Sequence, residues 1–186
     1  ETNVTHIWEV DTGDITSGQQ PMAANLDQYV EIEILVEYSG GIRVIISDGT
    51  ILSSFAHSCD IFAVGNMHIS SGLELCVADN DILYLYYWDT EEEEFVNITS
   101  KDLDYPEPRY GISLVCSDLT GDSFEDVVYC NYGVDSDGQS PPPRTLVVYD
   151  WESEEISYTE TWDVEPYTSF LAAGELAGTK MVGYSF

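Results

Sequence analysis

Asp118-Leu119-Thr120-Gly121-Asp122-Ser123-Phe124-Glu125-Asp126 sets oxygen-bearing side chains at its first, third, fifth and ninth positions: Asp118, Thr120, Asp122 and Asp126. A hard cation such as Ca²⁺ takes about six to eight oxygen ligands from a flexible loop, and a tight turn at Gly121 lets this run curl around one ion. A solvated acidic turn is the competing reading of the same residues. The run leads directly into the apolar segment Val127-Val128-Tyr129, which reads as a strand.

Catalytic chemistry is harder to find. His6, His57 and His68 are far apart, and no HExxH spacing, G-x-S-x-G elbow or glycine-rich phosphate loop is present. With 35 Asp and Glu residues, carboxylate pairs can arise anywhere and specify no glycosidase-type site. The expectation is a protein that is not an enzyme.

The elements that must position the loop come from repetition. Asn25-Leu26-Asp27 runs through Glu33 into Ile34-Leu35-Val36, and Asn66-Met67-His68 runs through Glu74 into Leu75-Cys76-Val77, both ungapped against the loop at Asp118. A shortened copy starts at Glu175-Leu176-Ala177-Gly178. First positions lie 41, 52 and 57 residues apart. These periods suit four-stranded antiparallel blades, so the expected fold is an all-β propeller of about four blades.

The expected repeats span residues 21–60, 61–105, 110–165, and 166–186 together with 5–20 of one domain, 1–186. Thr5-His6-Ile7-Trp8-Glu9-Val10 alternates like a strand and matches the third-strand pattern of Leu146-Val147-Val148-Tyr149-Asp150, while Met181 to Phe186 falls at a second-strand position. Residues 5–20 could complete the fourth blade within the chain or in a neighbouring copy, which would build filaments; the chain could also be part of a larger propeller. Intramolecular closure is preferred. Gly133 to Arg144, with Pro141-Pro142-Pro143, reads as a projecting loop.

With Tyr110-Gly111-Ile112-Ser113 entering the first strand, the Asp118 to Asp126 loop, and Gly133 past the second strand, the third copy resembles the FG-GAP/VCBS family of propeller repeats, including those of integrin alpha subunits. The resemblance covers most of residues 21 to 186. It implies Ca²⁺ held by Asp118, Thr120, Asp122 and Asp126 with the Phe124 carbonyl, and a second candidate site at Asn25, Asp27, Glu31 and Glu33. Ser123 stands where the family has glycine, Tyr29 and Ser70 replace the fifth-position acid, and the second copy, with His68 third, is expected to be metal-free.

Composition narrows the partners. Five Lys and Arg against 35 acids give a formal charge of −30, which opposes nucleic acid or an anionic membrane and favours cations, basic partners or solubility in salt. No run approaches the roughly 20 apolar residues that span a bilayer. Cys59, Cys76, Cys116 and Cys130 contain no CxxC pair and allow three disulfide connectivities, of which Cys116 to Cys130, flanking the third loop on strands expected to pair, is favoured. Asn3-Val4-Thr5 and Asn97-Ile98-Thr99 are glycosylation sequons.

What the family resemblance chiefly implies is an extracellular, calcium-binding, non-enzymatic structural or adhesive module that meets protein or glycan at a cell surface, or associates with itself head to tail. Aromatic residues Tyr84, Tyr86, Tyr87, Trp88, Trp151 and Trp162 keep a glycan-binding propeller, or a polysaccharide lyase-like enzyme, as alternatives.

Overall fold

The computed structural model describes residues 9–11, 21–27, 32–68, 72–104, 109–133, 144–162, 170–176 and 179–185. Among them the chain forms fourteen strands, no helix, and four antiparallel sheets. The first sheet is β1 (Met22–Ala24), β2 (Glu33–Tyr38), β3 (Gly41–Ile45) and β4 (Ile51–Phe55). The second is β5 (Ile61–Gly65), β6 (Glu74–Asp79), β7 (Ile82–Asp89) and β8 (Glu94–Asp102). The third is β9 (Arg109–Ser117), β10 (Asp126–Gly133), β11 (Arg144–Asp150) and β12 (Glu155–Trp162), and the fourth pairs β13 (Phe170–Leu176) with β14 (Thr179–Ser185).

Strands lie in chain order within every sheet, each paired with its sequence neighbour. The turns that allow this are local. Asn80 takes a left-handed φ of 55° between β6 and β7, a conformation that asparagine tolerates. The β7–β8 and β11–β12 connections share one device: the Asp89 and Asp150 carboxylates each accept N–H groups two and three residues on, and Glu93 and Glu154 then turn left-handed into the next strand. The acidic run Glu91 to Glu94 is therefore turn and strand start. At Gly41, φ is +133° and a Cβ would sit 2.0 Å from the Phe55 carbonyl, so only glycine fits.

Sequence alternation decides which sheet faces which. Along β6, Leu75 and Val77 pack toward the first sheet while Cys76 and Ala78 pack toward the third. Along β10, Val127 and Tyr129 face the second sheet, whereas Val128 and Cys130 meet Leu171, Ala173 and Val182 of the fourth. Covered on both faces, these middle strands read as unbroken apolar runs, and each wholly buried large side chain contributes about 1.5–3 kcal/mol. First strands stack in series, β1 on β5, β5 on β9 and β9 on β13. A register shift recurs between the third and fourth strands of each four-stranded sheet, at Val44/Ile45, Leu85/Tyr86 and Val148/Tyr149.

Two expectations change. All four cysteines are free thiols, and Cys116 and Cys130 cannot be bridged. Cys116 lies opposite Val127 and Cys130 opposite Ser113, so an odd residue offset turns them to opposite faces of the sheet, and a disulfide needs facing Cβ atoms. Arg144, placed in the projecting loop, is instead the first residue of β11 and is wholly buried. Residues 134–143 of that loop, with Asn3, His6, Tyr29, Glu31, Ser70 and most of 5–20, lie outside the described residues.

Candidate functional site

The third loop connects β9 to β10, the first two strands of its sheet. Its turn is built by the chain's own carboxylates: Asp118 Oδ1 accepts the Gly121 N–H at 2.6 Å, and Asp122 Oδ1 accepts the Phe124 N–H at 2.8 Å. Gly121 has φ +89° with open space around it, and Ser123 adopts φ 84°, a left-handed conformation that a side chain resists. The backbone thus keeps a glycine-type bend where serine stands.

Asp126 closes the loop from its ninth position. Its Oδ2 accepts the N–H groups of Leu119 at 2.6 Å and Thr120 at 2.9 Å. The other two copies repeat the contact. Glu33 Oε2 accepts the Leu26 N–H at 2.8 Å, and Glu74 Oε2 accepts those of Met67 at 2.8 Å and His68 at 3.3 Å. All three acids are buried, as are the second-position Leu26 and Met67, while Leu119 is half-buried. An acid that looked like a ligand by type and spacing is first a backbone acceptor that folds the loop over an apolar anchor. The signal available in the sequence was the pairing itself, an apolar residue second with an acid ninth.

One oxygen in two of these carboxylates has other uses open to it. Asp126 Oδ1 and Glu74 Oε1 are buried and make no hydrogen bond. Burial pushes both carboxyls up, against the pull of the N–H groups they accept. Glu74 reaches about 7, with the charge of Glu125 adding to the rise, and Asp126 is raised further by Asp150 and Asp122. A cation beside Asp126 Oδ1 would relieve that cost.

Lys180, from β14, meets the other end of the loop. Its Nζ donates to the Asp118 carbonyl at 2.6 Å and lies 3.3 Å from Asp118 Oδ1. Desolvation raises the Asp118 carboxyl, but the Gly121 N–H, Lys180 and the Ser123 N–H together outweigh it and hold the group below its ordinary value. Among the described residues no three His, Cys, Asp or Glu side chains converge as a metal-binding group. Asp118 and Asp122 instead point oxygens at N–H groups of their own loop, Thr120 is exposed, and Asp126 supplies the free inward oxygen. That buried, unsatisfied atom fits a hard cation; the Lys180 ammonium at Asp118 would compete with one.

In the first copy Asn25 and Asp27 are half-buried beside the buried Glu33, while Glu31 lies outside the described residues. Of the aromatic residues, Tyr84, Tyr86 and Trp88 pack between the first and second sheets, Trp151 packs between the second and third, and Tyr87 is 37% exposed. His57 stands against Tyr86, 3.4 Å from its hydroxyl, and burial lowers the imidazole despite the nearby charge of Asp79.

Fold and loop define an all-β protein of antiparallel sheets whose first two strands, where the loop is complete, are joined by an acid-closed turn. A scan against family models and searches of curated proteins and of solved structures return no match.

Proposed function

We propose that the sheets are successive blades of a propeller resembling the FG-GAP/VCBS repeats, and that the protein is an extracellular, non-enzymatic structural or adhesive module. In this reading Ca²⁺ at the third loop is held by Asp118, Thr120, Asp122, Asp126 and the Phe124 carbonyl. The observation that carries it is the threefold recurrence of one loop closure, ninth-position acid to second-position N–H, at the start of each complete sheet. Serial stacking of β1, β5, β9 and β13 supports a shared axis, since innermost strands meet there in a propeller.

Residues 5–20 complete the fourth blade in this reading. The Asp11 carbonyl accepts a hydrogen bond from Arg43 Nη1 at 3.1 Å, which ties Asp11 to the first sheet, the neighbour of the fourth in a closed ring of four. A cleft of about 460 Å³ between β12 and β14, lined by Leu146, Val148, Tyr158, Met181 and Val182, marks the side on which further strands would pack. The acids displaced by burial, Glu74, Asp126 and Asp60, all hold backbone N–H groups, which is structural rather than catalytic work. The cation would neutralise carboxylates that otherwise repel and pin the β9–β10 turn.

Calcium titration of the purified chain, followed by calorimetry, tests the site: one equivalent should bind, and absence of heat at millimolar Ca²⁺ would remove it. Solution scattering tests the ring, with a compact monomer expected and a concentration-dependent series of multimers favouring strand exchange between copies.

A further inference from the structure

We propose that Asn97 carries an N-linked glycan whose first sugar lies on the aromatic edge around Phe55, between the first and second sheets. This rests on the extracellular reading above and stands independently of the cation reading.

Asn97-Ile98-Thr99 lies on β8, the outermost strand of the second sheet. Asn97 pairs with Tyr86 and Thr99 with Leu85, so Ile98 is the extra residue of a bulge. Ile98 packs inward against the core shared with the third sheet, while Asn97 stays exposed on the opposite face. Bending of the strand brings the Asn97 Nδ2 to 3.3 Å from the Thr99 carbonyl, folding the sequon onto itself in an accessible place. The same bulge recurs at Val44/Ile45 and Val148/Tyr149, so what sets this edge apart is the sequon itself, with its asparagine exposed.

What surrounds Asn97 suits a sugar. Phe95 stands two residues earlier on the same face, and Tyr86 lies directly across. Phe55 touches both, with ring centroids 4.7 Å from Tyr86 and 5.4 Å from Phe95, and His57 stacks on Phe55 at 5.7 Å. Phe95 and Tyr86 are buried, but Phe55 and His57 are half-exposed and leave an apolar shelf beside the amide. The C–H face of a pyranose covers such a ring as another apolar surface would. In the transfer, Asn97 Nδ2 bonds to C1 of a saccharide carried on a polyprenyl phosphate. The C1–O bond to phosphate breaks, the polyprenyl phosphate leaves with the electron pair, and one Nδ2 proton is released.

Glycopeptide mass spectrometry on protein purified from the cells that make it decides attachment. The peptide containing Asn97 should carry a saccharide mass that Asn97→Gln and Thr99→Ala abolish and Thr99→Ser retains. An unmodified Asn97 peptide in the source protein overturns the proposal. For the shelf, the glycosylated chain should melt higher than Asn97→Gln, and Phe55→Leu, which keeps bulk without a ring, should remove that difference while leaving the glycan attached. A difference unchanged in Phe55→Leu would place the sugar elsewhere.

Discussion

Asn66 and Glu125, 59 residues apart, hold each other by two hydrogen bonds: the Glu125 N–H donates to the Asn66 carbonyl at 2.7 Å, and the Asn66 N–H donates to Glu125 Oε2 at 2.8 Å. The first residue of one acid-closed loop is thereby clasped by the eighth residue of the next. Gly65 makes room, since a Cβ there would lie 2.6 Å from Glu125 Oε2 and 2.7 Å from Cys116 Cβ. With Asp60 accepting N–H groups from both Asn80 and Gly111, the clasp ties the second sheet to the third.

Glu125→Ala should therefore destabilise the fold by about 1–3 kcal/mol, because it strands a part-buried N–H. Glu125→Gln keeps an acceptor and should cost less than half as much. Gly65→Ala should cost about 1–3 kcal/mol by overpacking. Urea unfolding measures all three, and an Ala variant as stable as the parent would show the clasp to be idle.

Calcium and Lys180 should oppose one another. Asp122→Ala is expected to lower the melting temperature in calcium while changing little in chelator; equal losses in both buffers would refute a cation role. Lys180→Met removes the ammonium competing at Asp118 and should tighten Ca²⁺ by about twofold to fivefold, the worth of an exposed ion pair. Unchanged affinity in that variant would mean that the ion does not use Asp118.

Stability should fall as pH rises from about 4.5 toward 7. Glu74, raised from 4.5 to about 7 by burial, binds a proton in the folded chain that it has already lost in the unfolded chain across this window. Its stabilising contribution is full below the unfolded value and gone above the folded one. Asp126 and Asp60, also raised by burial, act with the same sign from their lower starting value. Glu74→Gln keeps an oxygen for Met67 and should flatten the slope, by at most on the order of 3 kcal/mol across the window. Chemical denaturation at a series of pH values reads this directly, and a parallel slope in the variant would assign the dependence to other groups.

Ser123→Gly should stabilise the third loop by about 1 kcal/mol, since it removes the cost of a left-handed φ from a residue with a side chain. Matched thermal melts in calcium and in chelator should both shift upward. A downward shift would mean that the serine side chain supplies more than the bend costs.

Unfolded without reductant, the chain should release four titratable thiols, whereas the folded chain should react slowly. Burial pushes Cys59 up to about 12 and Cys130 to about 11, and raises Cys76 and Cys116 as well, so little thiolate exists at neutral pH. Two thiols in denaturant would reveal a disulfide.

Residue order alone carried the all-β class, the positions of the middle strands and the recurring loop frame. These depend on neighbours: turn residues such as Asn80 act over a few positions, and apolar runs such as Val127 to Cys130 declare a strand covered on both faces. Tertiary structure decided what the acids do. Asp126, Glu74 and Glu33 are one residue class by spacing, yet each gives an oxygen to a loop N–H before any ion is considered. Cys116 and Cys130 flank one loop in sequence and occupy opposite faces in space, because strand register, not distance along the chain, sets direction. The partners of Glu125 and of Asp118 lie 59 and 62 residues away, and such pairings exist only once packed sheets bring the loops together.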